Sequence, residues 1–328
     1  MINNVWITPY IKDLNIERQI LKEFKVSQND FNLVDAIGAI IWHEKFPIDF
    51  QNFRKIKAIS RFGAGLDNID LQFCFDNNIR VSNVPDYGVD EVSDTAISFL
   101  LWLSRGLGKY NYDSLNLTDG SWETNIKENI RRTNKLKLGI VGLGRIGSKV
   151  ALKAKSLGFV VKGYDPNQIA GHEKILGIER KRNLYEMISE CDFISLNCDL
   201  NKDNYNLVDE KFINCMKPNA CLINTARGSL VKSIEFILDC VEDEKIGGFA
   251  SDVLPKEPPN ILIQQRIKNS PKLSQNIILT PHTAFYSMDA FAEMRTKAAK
   301  NLYFMIKENP LLEIEKEIKL NFNRFKII

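Results

Sequence analysis

The sequence predicts an α/β protein of two domains, each built on a doubly wound parallel sheet. The chain has 328 residues, of which 44% are hydrophobic, and this length is typical of about two domains. From residue 136 onward, short β-branched runs alternate with amphipathic stretches, and further strand-like runs precede residue 100. Such alternation of strand and helix favours parallel strands that are covered by helices on both faces.

The strand-like runs also predict how the two domains are arranged along the chain. Those of the central part are LGIVG, FVVKGYD, DFISLNC, ACLINTA, GGFASDV and NIILTP, and those of the first part are NNVWIT, IKAIS and NIRVSNV. Long helices predicted at 90–105 and 284–308 bracket the central part, and the polar segment 111–135 is interpreted as a hinge. We therefore expect a discontinuous, flavodoxin-like substrate domain, residues 1–107 and 286–328, into which a Rossmann domain, residues 108–285, is inserted.

Charge and cysteine content limit which binding partners and which cellular compartment are expected. The chain has 44 Lys and Arg against 41 Asp and Glu, so no basic surplus indicates nucleic acid, and the basic end at 319–328 is interpreted as a solvated tail. The six cysteines include no Cys-x-x-Cys pair, and no metal site is predicted. No apolar run of about 18 residues is present to span a bilayer, and the N-terminus lacks a secretory apolar core. We expect a cytoplasmic protein that binds small molecules.

A glycine-rich loop follows the first strand of the central part. Gly142, Gly144 and Gly147 form the pattern Gly-x-Gly-x-x-Gly between a predicted strand and a predicted helix. In this context the glycines allow a tight turn, close approach of a pyrophosphate, and close contact of the helix with the strand. The N–H groups at the helix start, including those of Arg145 and Ile146, would hold the phosphates. The loop therefore predicts a dinucleotide site.

An acidic residue selects the kind of dinucleotide. Asp165 ends the next strand, near the expected distance of about 20 residues beyond the loop, where a carboxylate accepts both ribose hydroxyls. This carboxylate would repel a 2′-phosphate, and residues 166–168 offer no Arg to receive one. NAD is therefore the predicted cofactor, and the alternative is an ordinary surface Asp at a strand end.

The chain resembles the D-isomer-specific 2-hydroxyacid dehydrogenase family, which includes phosphoglycerate dehydrogenases and the C-terminal-binding-protein corepressors. The likeness spans nearly the whole chain and is carried by RFGAGLDNID, NVPDYGVDEVSDTA, GLGRIG, NTARGSLV, SDVLPKEP and TPHTA, at residues 61–70, 83–96, 142–147, 224–231, 251–258 and 280–284. The resemblance implies interconversion of a 2-oxo acid and a D-2-hydroxy acid with NAD. It also implies a homodimer formed through the cofactor domains.

The resemblance implies a catalytic set of Arg227, Glu257 and His282. Hydride transfer to a 2-oxo acid also requires a proton, and histidine gives or takes protons near neutral pH. A neighbouring carboxylate, Glu257, favours the imidazolium and orients the ring. Arg227 has the planar group that grips a carboxylate and polarises the adjacent carbonyl. The rival explanations are a structural ion pair for Arg227 and an ordinary exposed acid for Glu257, while His43 and His172 are given no role.

The resemblance also implies residues that line the substrate and cofactor sites. Backbone N–H groups in the turn 62–65 are expected to hold the substrate carboxylate, although a glycine pair after a strand can also simply turn the chain. The turn consists of Phe62, Gly63, Ala64 and Gly65. Tyr87 and Trp102 are candidate pocket residues. Further cofactor contacts are expected from Thr95, Asn197, Cys198, Asp199, Thr225, Ala226, Arg227, His282 and Asp252, the last as a partner of the carboxamide.

Some positions depart from the family pattern, and alternatives stay open. Asp199 stands where a proline is usual, and Asp94 replaces the usual Glu before Thr95, so both bear on cofactor affinity. Glu257 argues against the formate-oxidising branch. The alternative function is an NAD(H)-sensing binding protein of the corepressor type with little turnover. A third possibility, NADP-dependent reduction of glyoxylate-like substrates, is disfavoured by Asp165.

Overall fold

The computed structural model describes residues 3–28, 34–50, 53–117, 122, 130–307, 310–320 and 322. The chain divides into two compact units. The first contains Met1–Gly88 and Tyr286–Ile328, and the second contains Val89–Phe285. Within the described residues, the strands are β1 (Asn4–Ile7), β2 (Lys25–Ser27), β3 (Ala36–Ile41), β4 (Ala58–Arg61), β5 (Arg80–Ser82), β6 (Lys137–Val141), β7 (Val160–Tyr164), β8 (Glu179–Arg180), β9 (Phe193–Leu196), β10 (Cys221–Asn224), β11 (Gly248–Ser251) and β12 (Ile277–Leu279).

Helices connect these strands in both units. In the described parts of the chain the α-helices are α1 (Asn15–Ile20), α2 (Leu71–Asp76), α3 (Val89–Ser104), α4 (Leu107–Leu115), α5 (Arg145–Ser156), α6 (His172–Leu176), α7 (Leu184–Glu190), α8 (Glu210–Cys215), α9 (Ile234–Glu242), α10 (Ile261–Asn269), α11 (Pro271–Asn276), α12 (Met288–Ile306) and α13 (Glu313–Leu320). Short 3-10 helices lie at Thr133–Lys135 and Gly228–Leu230. None of the helices that the structure describes is long and apolar enough to cross a membrane.

Each unit contains one parallel sheet. The first unit has the strand order β2-β1-β3-β4-β5, which is the flavodoxin-like order. The second has the order β12-β11-β10-β9-β6-β7-β8, which contains the Rossmann order centred on β6. Two buried apolar clusters form in each unit, as expected where helices cover both faces of a sheet. The predicted fold class is confirmed.

Three strands were not predicted from the sequence, and the most important is β3, which lies in the middle of the first sheet. Its sequence, AIGAII, combines three strand-favouring Ile with two Ala and one Gly, which are depleted in strands. Gly38 is explained by packing, because a Cβ there would collide with the side chains of Leu302 and Ile306 in α12. The other two, β2 and β8, are short edge strands.

The boundary predicted at 107/108 needs correction, because residues 89–107 lie in the second unit. The physical reason is the apolar face of α3. Ala96, Phe99 and Leu100 are buried in one cluster with Val150 and Ala154 of α5. Lys153 of α5 also donates hydrogen bonds to α3, 2.6 Å to the carboxylate of Asp94 and 2.7 Å to the hydroxyl of Ser93.

Two further predictions concern polar segments. The segment 111–135, interpreted as a hinge, starts inside α4, and residues 118–121 and 123–129 lie outside the described residues. The basic end at 319–328 starts within α13, and residues 321 and 323–328 also lie outside them.

A buried ion pair joins the two separate segments of the first unit. Arg295 in α12 donates to both carboxylate oxygens of Glu17 in α1, at 2.7 Å and 2.6 Å, and their side chains are 8% and 0% exposed. Arg295 also donates to the main-chain carbonyl of Asp13. A carboxylate without exposure to water is tolerated only when it is paired and hydrogen-bonded. The pair therefore fixes α12 against the N-terminal part of the chain.

We expect Glu17→Ala to lower the free energy of unfolding of the first unit by about 3–5 kcal/mol, because it leaves a buried guanidinium without its partner. Urea unfolding followed by circular dichroism measures this. Asp35→Ala is the control, since its ion pair with Lys55 is about 60% exposed on both sides and such pairs contribute roughly 0–1 kcal/mol. Equal effects of the two substitutions would contradict the assigned importance of the buried pair.

Candidate active site

The glycine loop connects β6 to α5 and leaves the start of α5 uncapped. Gly142 has a φ of +91°, and a Cβ on Gly147 would overlap the carbonyl oxygen of Gly142. The N-cap residue is Gly144, which has no side chain to bond the first N–H groups, and a Cβ there would meet open space. An uncapped helix start beside open space is a suitable site for a phosphate.

Asp165 lies against this loop, as the sequence predicts. Its Oδ2 accepts a hydrogen bond of 2.9 Å from the N–H of Leu143, and its Oδ1 accepts one of 2.8 Å from Asn167. Gln168 donates 2.8 Å to the carbonyl of Leu143 from the other side. Because each carboxylate oxygen has two lone pairs, Asp165 retains capacity to accept from ribose hydroxyls.

Three further residues support this region, and none of them was given a role from the sequence. The hydroxyl of Ser148 donates 2.9 Å to the carbonyl of Leu143, so the ring Nε2–H of His172, 2.8 Å away, acts as donor to that hydroxyl. Arg180 donates 2.8 Å to the carbonyls of both Asp165 and Gln168. Ser148 is one turn beyond the loop on α5, which is a usable signal, whereas nothing local marks His172 or Arg180.

The end of β9 contacts the loop. A Cβ on Gly142 would lie 2.7 Å from the backbone of Cys198, so residues 197 and 198 pack directly on this glycine. Asn197 donates through Nδ2 to the carbonyl and hydroxyl of Ser195, while its buried Oδ1 has no partner among the described residues. Burial raises the pKa of the Cys198 thiol to about 12, so it is an unreactive packing group. Asp199 follows it, and Asn204 donates 2.6 Å to its carbonyl.

The loop after β10 carries Thr225, Ala226 and Arg227. Asn224, which is fully buried, accepts from the N–H of Ala226 and donates to the carbonyl of Arg227, both at 3.0 Å. The buried hydroxyl oxygen of Thr225 has no hydrogen-bond partner in the described part of the chain. Buried polar groups are normally satisfied, so the oxygens of Asn197 and Thr225 indicate a ligand with polar groups. With the uncapped helix start, these residues fit a dinucleotide such as NAD.

His282 and Glu257 form a hydrogen-bonded pair. Nδ1 of His282 lies 2.8 Å from Oε2 of Glu257, and Oε1 of Glu257 accepts 2.8 Å from the N–H of Leu254. Their side chains are 49% and 38% exposed, respectively. Burial acts to raise the pKa of Glu257, but the hydrogen bonds from His282 and Leu254 and the nearby charge of Arg227 outweigh it and lower the pKa below its ordinary value. Glu257 is therefore a carboxylate at neutral pH.

Arg227 approaches this pair through a tight contact between two loops. A Cβ on Gly228 would overlap the carbonyl of Leu254, so the loop after β10 packs directly on the loop that carries Glu257. Arg227 itself is half-buried and donates 2.8 Å to the carbonyl of Ala226. The structure thus brings the three predicted catalytic residues to the carboxyl ends of β10, β11 and β12, the edge at which open parallel sheets bind ligands.

Asp252 holds the loop of His282. Its Oδ1 accepts from the hydroxyl of Thr280 at 2.6 Å and from the N–H of Thr283 at 2.9 Å, and its Oδ2 accepts from Ala284 at 2.9 Å. The carbonyl of Asp252 accepts from the N–H of His282 at 2.8 Å. One lone pair on Oδ2 remains for the carboxamide contact predicted from the sequence. The anchoring role of Asp252 was not predicted.

Two other predicted residues lie on α3. Thr95 is half-buried, six residues after the helix start at Val89, on the helix that packs on α5. Trp102 packs against the core of the second unit and lies beside Gly108, so its ring serves the core in this unit. The interpretation of Trp102 as a pocket residue is therefore not supported.

The predicted carboxylate cradle lies in the first unit, after β4. Asn83 donates 2.5 Å to the carbonyl of Ala64, and Val84 donates 3.0 Å to that of Gly63. Among the described residues, the N–H groups of Gly63, Ala64 and Gly65 donate to no protein acceptor. The hydroxyl of Tyr87 lies beside Gly63. Phe62 is fully buried and serves the core.

Comparison with known proteins agrees with this geometry. Residues 97–284, more than half of the chain, match the family model described as D-isomer specific 2-hydroxyacid dehydrogenase, NAD binding domain. The chain is 29% identical over 312 residues to C-terminal-binding protein 1 of Caenorhabditis elegans, covering 89% of this chain and 41% of that protein. It is 30% identical over 253 residues to D-3-phosphoglycerate dehydrogenase of Methanocaldococcus jannaschii, covering 77% and 46%. It therefore spans less than half the length of these curated relatives.

A solved structure has the same architecture over nearly the whole chain. D-lactate dehydrogenase from Aquifex aeolicus, complexed with NAD and lactic acid, superposes with a TM-score of 0.79 at 25% identity and covers 93% of this chain and 96% of that one. Fold and site thus define an α/β protein with an NAD-binding domain. The chain belongs to the D-isomer-specific 2-hydroxyacid dehydrogenase family.

We expect Asp165→Ala to weaken NADH binding by about 10-fold or more, because each lost hydrogen bond to a charged group is worth about 1.5–3 kcal/mol. NADPH should bind the variant better than it binds the wild type, since the repulsion of its 2′-phosphate is removed. Titration of NADH and NADPH fluorescence measures both affinities. Glu173→Ala is the control, an acid of the same segment that accepts from the N–H of Gly171. An unchanged NADH affinity in Asp165→Ala would refute the assigned role.

Proposed function

We propose that the protein is an NAD-dependent dehydrogenase that reversibly reduces a 2-oxo acid to the D-2-hydroxy acid. One observation carries the proposal: His282 and Glu257 are hydrogen-bonded at 2.8 Å beside Arg227, within the NAD-binding domain of this family. A histidine held by a carboxylate is a proton donor and acceptor, and a nearby guanidinium binds the substrate anion.

The roles follow from the chemistry of each group. NADH, when bound, supplies the hydride that reduces the carbonyl carbon. The imidazolium of His282 gives its proton to the carbonyl oxygen, so that the hydroxyl forms and a neutral imidazole remains. Glu257 stabilises the imidazolium through Nδ1, which leaves Nε2 to face the substrate. Arg227 polarises the carbonyl, and its positive charge attracts the negatively charged substrate carboxylate.

The proposal extends to the remaining predicted contacts. The glycine loop and Asp165 would hold the pyrophosphate and ribose, and Thr225 and Asn197 would bond cofactor groups through their unpartnered oxygens. The N–H groups of residues 63–65 would receive the substrate carboxylate. The six free cysteines support a reducing compartment such as the cytoplasm. A homodimer is proposed from the family resemblance.

A sensing role is the alternative, because the chain is 29% identical to C-terminal-binding protein 1 over 89% of its length, but the similarity to D-lactate dehydrogenase favours the dehydrogenase. A sensing protein would bind NADH and assemble in response, without reducing any 2-oxo acid. Turnover by the purified protein separates the two functions, because the residues of the site suit both.

We expect His282→Ala to lower the turnover number by about 10²- to 10⁴-fold, the range for loss of one general acid. NADH oxidation with a panel of 2-oxo acids, followed by absorbance, measures this, and NADH affinity should change little. Lys256→Ala, a change of an exposed neighbour in the loop of Glu257, is the control and should keep full activity. A His282→Ala variant with wild-type turnover would sink the assignment.

Glu257→Gln should lower kcat for the reduction by about 10-fold or more, because a hydrogen bond to a charged carboxylate, worth about 1.5–3 kcal/mol, is replaced by one to a neutral amide. Burial raises the pKa of Glu257, but its hydrogen bonds from His282 and Leu254 outweigh burial and lower the pKa below its ordinary value. The wild type therefore keeps this carboxylate at neutral pH, and its contribution is lost as the pH falls through the lowered pKa. Measurements of kcat at neutral and at acid pH check this, and the difference between variant and wild type should narrow at acid pH. Glu235→Gln, a change of an exposed acid at the start of α9, should leave kcat unchanged.

A further inference from the structure

Five aromatic side chains of the first unit form a continuous strip. The rings of Tyr10 and His43 meet edge to face at 5.1 Å, and His43 stacks on Trp42 at 4.7 Å with an interplanar angle of 20°. Trp42 contacts Phe291 at 5.8 Å, and Phe291 contacts Tyr286 at 5.9 Å. We call these five residues the aromatic strip.

The aromatic strip begins where strands of the first sheet end. Tyr10 follows β1, and Trp42 and His43 follow β3. β3 is the neighbour of β4, and Ile41 is paired in register with Arg61, so Trp42 and His43 leave the sheet beside the turn 62–65. A hydrogen bond of 2.8 Å from the N–H of Phe62 to the carbonyl of Ile41 fixes this alignment. The strip thus borders the cradle proposed for the substrate carboxylate.

The strip combines a fixed base with exposed ends. Trp42 and Phe291 pack on a buried apolar cluster of the first unit, whereas Tyr10 is 59% exposed and Tyr286 is 57% exposed. Glu44 fixes the backbone at the strip, because its carboxylate accepts 2.8 Å from the N–H of Trp42 and 2.5 Å from the hydroxyl of Thr8. Contiguous apolar rings at a ligand-binding edge are typical of a recognition surface.

Charge around the strip limits what it can bind. Glu44 is a carboxylate next to Trp42, and a second negative charge there would be repelled. Arg295 lies 5.8 Å from the ring of Phe291, but its guanidinium is committed to Glu17 in a buried pair. The guanidinium of Arg61 lies against Gly63 in the cradle, so positive charge lies where the substrate carboxylate is proposed to bind. Beside Trp42, the charge of Glu44 disfavours an acidic or phosphorylated side chain.

We propose that the aromatic strip binds the side chain of the substrate and that this side chain is an aromatic ring. The inference rests on the proposed function. A 2-oxo acid whose carboxylate occupies the cradle would place its side chain over the adjacent strand end. Phenylpyruvate fits this description, and pyruvate, which has only a methyl group, gains nothing from the rings. Aromatic pairs add stabilisation beyond the burial of their area.

The first test compares kcat/KM for phenylpyruvate, pyruvate and 2-oxoglutarate with NADH. We expect kcat/KM for phenylpyruvate to exceed that for pyruvate by about 10-fold or more. One buried methylene can change kcat/KM by about 10-fold, and a buried ring contributes more apolar area than a methylene. 2-Oxoglutarate should be the poorest. Preference for pyruvate or 2-oxoglutarate would overturn the inference while leaving the dehydrogenase function intact.

Variants of the aromatic strip test whether its residues cause the preference for phenylpyruvate over pyruvate. Tyr10→Ala and His43→Ala should each lower the ratio of kcat/KM for phenylpyruvate to that for pyruvate by about 3–10-fold. His43→Phe keeps a ring and should keep the ratio. Tyr205→Ala, a change of a tyrosine that is 50% exposed in the second unit, is the matched control and should not alter it. A ratio unchanged in both alanine variants would refute the strip as the side-chain site.

Binding separates failure of this inference from failure of the proposed function. If no 2-oxo acid is reduced, the dehydrogenase function fails. Calorimetric titration of the NAD⁺-loaded protein with phenylpyruvate and with pyruvate then shows whether the aromatic strip binds the ring. Tighter binding of phenylpyruvate that is weakened by Tyr10→Ala would uphold it, and equal or undetectable binding of the two acids would overturn it.

Discussion

The buried carboxylate of Asp252 is the interaction on which the geometry of the candidate active site depends. It is 3% exposed, and a charge so removed from water is costly unless donors satisfy it. Its donors are Thr280, Thr283 and Ala284, all in the segment around His282, so the charge is satisfied only when this segment adopts its observed path. That path requires His282 to have a φ of +54°, an uncommon conformation, and the hydrogen bonds to Asp252 offset its cost.

The sequence predicts best what is local. The glycine loop and Asp165 were identified from the order of strand, loop, helix and strand, because neighbouring parallel strands bring their carboxyl ends together. The pairing of Glu257 with His282 is different. These residues follow separate strands, and their separation along the chain does not say which of several acids faces the ring. Only the family resemblance selected Glu257 over Glu242 and Glu244, and the hydrogen bond of 2.8 Å agrees with that choice.

What the sequence missed depends on contacts between distant segments. β3 contains a glycine, Gly38, because the side chains of Leu302 and Ile306 in α12, more than 250 residues later, leave no room for a Cβ there. The first domain boundary was placed too late because the apolar face of α3 does not reveal which unit it packs on, and the packing partner is α5. The aromatic strip is likewise invisible in the sequence, since residues 10, 42 and 43 meet residues 286 and 291 only in the folded chain.

The proposed function requires each unit to bind an anion through backbone N–H groups. In each, one strand is followed by a glycine-containing turn. The loop after β6 leads into α5, whose start has no side-chain cap, and the N–H groups of residues 63–65 after β4 donate to no protein acceptor in the described structure. Backbone N–H groups attract any suitable anion and cannot distinguish one carboxylate or phosphate ester from another. Selectivity between anionic ligands must then come from side chains at the end of the neighbouring strand. Asp165 occupies that position beside β6, and Trp42 and His43 occupy it beside β4. Changing those side chains alters selectivity without dismantling the anion site, so the proposed choices of cofactor and substrate are independently adjustable.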